Sequence, residues 1–171
     1  MTKYNNLQNQ LSNYKIQKNA YEDALFNSLG DFREKLINYL EMEEVVNYGN
    51  ANNIKDMVSL GEVCNGIFEN KQLTALKMNE DNPRKPKLLF AVKISTGKLE
   101  NGFYTSDKHY VFECSLHRTN GIYYVSFING DSKPCEIPCN ETTGSARVDF
   151  SPAFEHIFQY MMRDNDPDIF K

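Results

Sequence analysis

The sequence has no tryptophan, three histidines, four cysteines, six prolines and nine glycines in 171 residues. Its longest apolar run is the five residues 88–92, whereas a membrane-spanning helix needs roughly 20. That shortage excludes a transmembrane helix. Residues 1–10 are polar and rich in Asn and Gln, without the basic and apolar regions of a secretory signal. Cys64, Cys114, Cys135 and Cys139 are too few for the disulfide framework of a small secreted domain. The expectation is a cytoplasmic protein with reduced thiols.

Motifs of common chemistry are missing as well. There is no Gly-x-Gly-x-x-Gly, Walker loop, Gly-x-Ser-x-Gly or His-Glu-x-x-His. Structural zinc sites favour two short ligand pairs, and here only Cys135 and Cys139 form one, with Cys114, His109 and His117 as the remaining candidates. Glu69-Asn70-Lys71 with Asp56 upstream resembles a Mg²⁺-holding acid and lysine pattern only by chance composition. No metal, cofactor or catalytic residue is expected.

What is present suits one packed domain spanning 1–171. Hydrophobic residues make up 40% and charged residues 25%, a balance far from that of a disordered chain. Ten Tyr and eleven Phe, each covering roughly 150 to 250 Å², predict an aromatic core.

Charge is unevenly distributed over a formal net of −4. Residues 31–48 hold five acids against two bases, and residues 140–171 six against three. Residues 84–118 reverse this, with seven bases against three acids. Opposite signs on solvated faces attract weakly. As binding surfaces they offer two choices: acidic helical faces for a basic partner, or a basic region for phosphate.

Tyr4, Leu7, Leu11, Tyr14, Lys18, Tyr21 and Leu25 alternate at spacings of three and four, the stripe of a long amphipathic helix. Gly30 suits a helix C′ position, and Asp31 with Glu34 reads as a capping box starting a second helix to about residue 44. Residues 1–45 are thus a helical hairpin or kinked pair. Tyr and Lys at seam positions disfavour a coiled coil, so packing on the sheet is favoured over a homodimer through this helix, which stays open because the N-terminal half is thinly apolar.

A short helix including Ile54, Met57 and Val58 is expected next, with residues 60–70 leaning helical. Period-two patterning then places an antiparallel meander of about five strands in 71–150. Its strands are 73–78, 87–95, the two arms around Asn120-Gly121, and short segments at 132–138 and 146–150. Asn-Gly is the preferred two-residue hairpin turn, which pairs Leu116 with Val125, Cys114 with Phe127 and Phe112 with Asn129 on a core face. The other face sets His117 opposite Tyr124, Ser115 opposite Ser126 and Glu113 opposite Ile128. Ser151-Pro152 is expected to open a C-terminal helix, 151–164, as N-cap and N1. The fold class is α+β, with the helices covering one sheet face.

The function expected from these features is a non-catalytic adaptor, chaperone or inhibitor that binds an unidentified protein partner. Its acidic helical residues are Glu41, Glu43, Glu44, Asp164, Asp166 and Asp168. The first alternative is a nucleic-acid-binding module using Arg84, Lys85, Lys87 and Lys93, with Tyr104, Tyr110, Tyr123 and Tyr124 available for stacking. The second is an enzyme with a site near His117, Tyr124 and Glu113. Residues four apart on a strand lie roughly 13 Å from one another, so His109, Glu113 and His117 cannot relay a proton directly.

Overall fold

The computed structural model describes residues 2–42, 57–79, 81, 86–100, 103–128, 134–142 and 147–165, with backbone only at 97–100 and 103–107. Two helices come first, α1 (Lys3–Leu29) and α2 (Phe32–Tyr39). The strands are β1 (Val58–Cys64), β2 (Ile67–Asn70), β3 (Met78–Asn79), β4 (Lys87–Glu100), β5 (Phe103–Thr119), β6 (Ile122–Phe127) and β7 (Cys135–Cys139), with a 3-10 turn at Leu73–Ala75. Helix α3 (Ser151–Asp164) ends the described chain. The fold is α+β, with an N-terminal helix pair, a fully antiparallel sheet and a C-terminal helix packed on it.

The sheet runs β2-β1-β4-β5-β6-β7, and β3 pairs with β4 on the edge that β4 also gives to β1. Alternation of side chains divides each strand between two faces. Leu88, Phe90, Val92 and Ile94 of β4 meet Leu116, Cys114, Phe112 and Tyr110 of β5 on the inner face, and all eight are buried. Leu25 and Leu29 of α1, Leu36 of α2 and Ile157 of α3 close over them in one core. Phe32, fully buried at the start of α2, joins the layers. Its ring meets Phe90, Phe150 and Phe154 edge to face, at centroid distances of 5.4, 4.9 and 5.0 Å, the arrangement that ring quadrupoles favour.

The outer face carries Leu89, Lys93, Val111, Glu113, Tyr124 and Ile128, none of which belongs to the core cluster. Between them sit small residues, Ala91, Ser95, Ser115 and Ser126, which their larger neighbours bury.

The Asn120-Gly121 hairpin is as expected. Both residues have positive φ, 52° and 81°, and the pairs Leu116 with Val125, Cys114 with Phe127, His117 with Tyr124 and Ser115 with Ser126 all form. The backbone N–H of Ile128 donates to the Glu113 carbonyl at 2.8 Å. Asn129 lies outside the described residues.

Several expectations are corrected. Among the described residues the sheet has seven strands, because residues 60–70 form β1 and β2 and not helix, and Val58 of the expected short helix starts a strand, while Ile54 lies outside the described residues. Asn65 and Gly66 make their turn, at φ 52° and 79°, with Cys64 paired to Ile67. Of residues 73–78, the first three form a 3-10 turn and only Met78 joins the ladder, in the two-residue β3. β4 continues past Ser95 to Glu100, which pairs with Phe103. Residue 146 lies outside the described residues, and residues 147–150 supply an isolated bridge from Val148 to Glu141 in place of a strand.

At the helix ends, α2 stops at Tyr39 and Asp31 makes no side-chain cap bond. Its carboxylate pairs instead with Lys35 at 3.0 Å. Gly30 is right-handed, at φ −56°, so α1 and α2 form a kinked pair joined through Gly30 and Asp31. Phe150, not Ser151, is the N-cap of α3, and the Asp149 carboxylate accepts from the Ser151 N–H at 3.0 Å.

Candidate protein-docking site

The residues singled out by sequence do not converge. Of the acidic set, Glu41 is exposed just beyond α2, and Asp164 is tied to Lys108 in an ion pair. Glu43, Glu44, Asp166 and Asp168 lie outside the described residues, as do Arg84 and Lys85. The Lys87 ammonium bonds Glu136 at 3.3 Å, and Lys93 lies over the Phe68 ring at 5.8 Å. Burial pushes the Glu136 carboxyl up, but its bond and charge contact with Lys87 outweigh this and hold it below the usual range.

His117 stacks on Tyr124 with ring centroids 5.2 Å apart and planes 16° apart, and only 8% of it is exposed. Glu113 is exposed on the same face, four residues along the strand. One cross-strand pair escaped sequence reasoning: the Ser95 hydroxyl and His109 Nδ1 lie 2.9 Å apart. Ser95 is only 4% exposed, so its hydroxyl ties β4 to β5 more readily than it meets a substrate. Among the described residues, no group of three or more His, Cys, Asp or Glu comes close enough to hold a metal. No described helix is long and apolar enough to cross a membrane.

The unusual surface lies on α1. Thr2 caps it, its hydroxyl accepting from the Asn5 N–H at 3.3 Å. The helix is anchored to the body through its C-terminal third. The Tyr21 hydroxyl donates to the Pro86 carbonyl at 3.0 Å and accepts from the Arg118 N–H at 3.1 Å. Burial raises its pKa, with the Arg118 contacts opposing. Leu25, Ser28 and Leu29 then enter the core.

Toward the N-terminus the same stripe has no cover: every side chain from 2 to 17 is exposed. Tyr4, Leu7, Leu11 and Tyr14 are 65, 53, 53 and 51% exposed. Packing of this part on the sheet, expected from the sequence, does not occur. About 20 Å of helix, at roughly 1.5 Å per residue, presents an exposed apolar stripe.

Clefts among the described residues accompany it. One of about 510 Å³ is lined by Lys35, Arg147 and Asp149, but the Lys35 ammonium already bonds the Val148 carbonyl at 2.9 Å and Asp31. Another of about 460 Å³ contains Arg33 and Lys71, engaged with the Val58 carbonyl at 2.6 Å and with Glu69 at 3.0 Å. A third, of about 270 Å³, is lined by Tyr39, Leu40, Glu41, Glu155 and Phe158, and a fourth, of about 240 Å³, lies beside Glu62 and Glu113. No protein-family model, curated protein or solved structure matches this chain.

Proposed function

We propose that this chain is a non-catalytic protein-binding module of the adaptor, chaperone or inhibitor kind, with the outer part of α1 as its docking arm. The supporting observation is the stripe Tyr4, Leu7, Leu11, Tyr14, at least half exposed along a helix whose inner turns are fully buried. Contiguous exposed apolar surface marks interaction sites, and helix-in-groove recognition uses this three-and-four spacing. Residues 3–19 also include five asparagines, poor helix formers, so a groove that packs the stripe stabilises the helix as well as the complex. The acidic side chains have less to offer, since Asp164 is neutralised by Lys108 and Glu41 is the one other described member of that set.

The test is a tagged pull-down from the host after nuclease treatment, comparing the wild type with Leu7→Asp/Leu11→Asp. Because both leucines are exposed, the double variant should melt within a few degrees of the wild type. The reading predicts a stoichiometric protein partner that survives nuclease and is lost from the variant. Equal capture by both proteins, or capture that nuclease abolishes, contradicts it.

A further inference from the structure

We infer that the partner of the arm is a second copy of this chain, whose cleft between β1 and β4 receives the lysine-flanked stripe of α1. The inference rests on the docking-arm reading and adds the identity of the groove.

The cleft arises from the topology. Gly61 is the last β1 residue paired with β4, opposite Ala91, and β3 takes the same edge of β4 at Leu88 and Lys87. A gap of about 240 Å³ opens where β1 departs, with Val63, Leu89 and Ile128 as apolar wall and Glu62, Glu113 and Lys77 as charged groups. Ile128 and the neighbouring Val111 are 42 and 43% exposed. Glu62 is 9% exposed. Its Oε2 lies 3.9 Å from the Lys77 ammonium, while its Oε1 is buried and accepts no hydrogen bond among the described residues. A buried carboxylate oxygen without a donor is an unfavourable arrangement that an incoming N–H or O–H relieves. In the clefts beside α2, Lys35, Arg33 and Lys71 are already engaged; this one has an acceptor to offer.

The arm supplies the matching chemistry. Residues 2–21 contain Lys3, Lys15 and Lys18 and no acid. At 3.6 residues per turn, all three lie within about 60° of the centre of the Tyr4, Leu7, Leu11, Tyr14 stripe. Lys18 is paired with Glu22 at 3.6 Å, so the ammonium groups of Lys3 and Lys15 flank the apolar side chains that face an apolar wall with carboxylates beside it.

A seam between two copies of α1 is a poorer solution. It sets lysines against lysines and spans one and a half heptads, where coiled coils need about three to four. Arm into cleft, exchanged reciprocally, closes as a two-fold dimer with two identical contacts.

The experiment is sedimentation velocity on the full chain, with circular dichroism as a check of folding. The wild type is compared with an arm variant, Leu7→Asp/Leu11→Asp, and a cleft variant, Glu113→Lys/Ile128→Lys, all at exposed positions. The expected wild-type species has twice the 19.8 kDa chain mass. Each variant alone weakens self-association by about tenfold or more. An equimolar mixture recovers a 1:1 complex, because the intact arm of one meets the intact cleft of the other.

A monomeric wild type overturns the inference, as does a cleft variant that dimerises like the wild type or a mixture that stays monomeric. If the wild type is monomeric but the arm variant loses a captured host protein, the docking arm stands and the second copy falls.

Discussion

At the residue scale, burial sets the chemistry of the titratable groups more than any catalytic arrangement does. The His156 ring lies 4.7 Å from Phe127. Burial, with the Arg163 charge behind it, holds its imidazole below the ordinary 6.5. In the window between that lowered value and 6.5 the unfolded chain binds more protons than the folded one, so stability rises with pH there and falls on acidification. Urea unfolding at about pH 7.5 and about pH 5.5 should show the wild type losing stability at the lower pH. His156→Gln should lose less, and equal losses in the two proteins would show that His156 does not titrate as the packing demands. Burial likewise pushes the Cys139 thiol up to about 11, with the Ala153 backbone opposing, and raises Cys114 further still. Reduced, unreactive core thiols follow from the same cause.

At the element scale, two glycines do different work. Gly121 is at φ +81° with open space around it, so Gly121→Ala costs only the strained backbone, about 1 kcal/mol. At Gly61 an added Cβ would stand 1.9 Å from the Glu69 carbonyl oxygen, and β1 and β2 must separate to admit it. Gly61→Ala should therefore cost about 3 kcal/mol or more. Denaturant midpoints of the two variants give the order directly, and a larger loss at Gly121 would contradict the close β1–β2 approach. These positions also show what was legible in the sequence. Asn120-Gly121 was flanked by strict alternation, so turn and register could be read together. Asn65-Gly66 carries the same turn signal, but Gly61 and the short flanks of β2 mask the period, which leaves the segment ambiguous between helix and strand with a lean to helix. Gly61 is there because two backbones pass within a methyl group of each other, a tertiary fact with no local signature.

At the scale of the whole molecule, the α+β architecture followed from patterning, because each buried stripe has one face to cover. What could not be read was how far along α1 that cover extends. The heptad-like spacing runs unbroken from Tyr4 to Leu25, and nothing in the residues marks Tyr21 as the edge of the body. Only the positions of Pro86 and Arg118 decide it. The candidate site was hidden for the same reason, since an exposed stripe and a core stripe are spelled alike. The cleft beside Glu62 depends on where β1 leaves β4, which no sequence period encodes.

The central claim is that residues 3–17 are helical surface belonging to an interface and not to the core. Hydrogen exchange of their amides, followed in dilute and in concentrated solution of the full chain, tests it most directly. The account predicts rapid exchange when dilute, because an Asn-rich exposed helix is marginal by itself, and protection gained on concentration while the amides of β4 and β5 stay protected throughout. Strong protection at high dilution, or rapid exchange that concentration leaves unchanged, would contradict it.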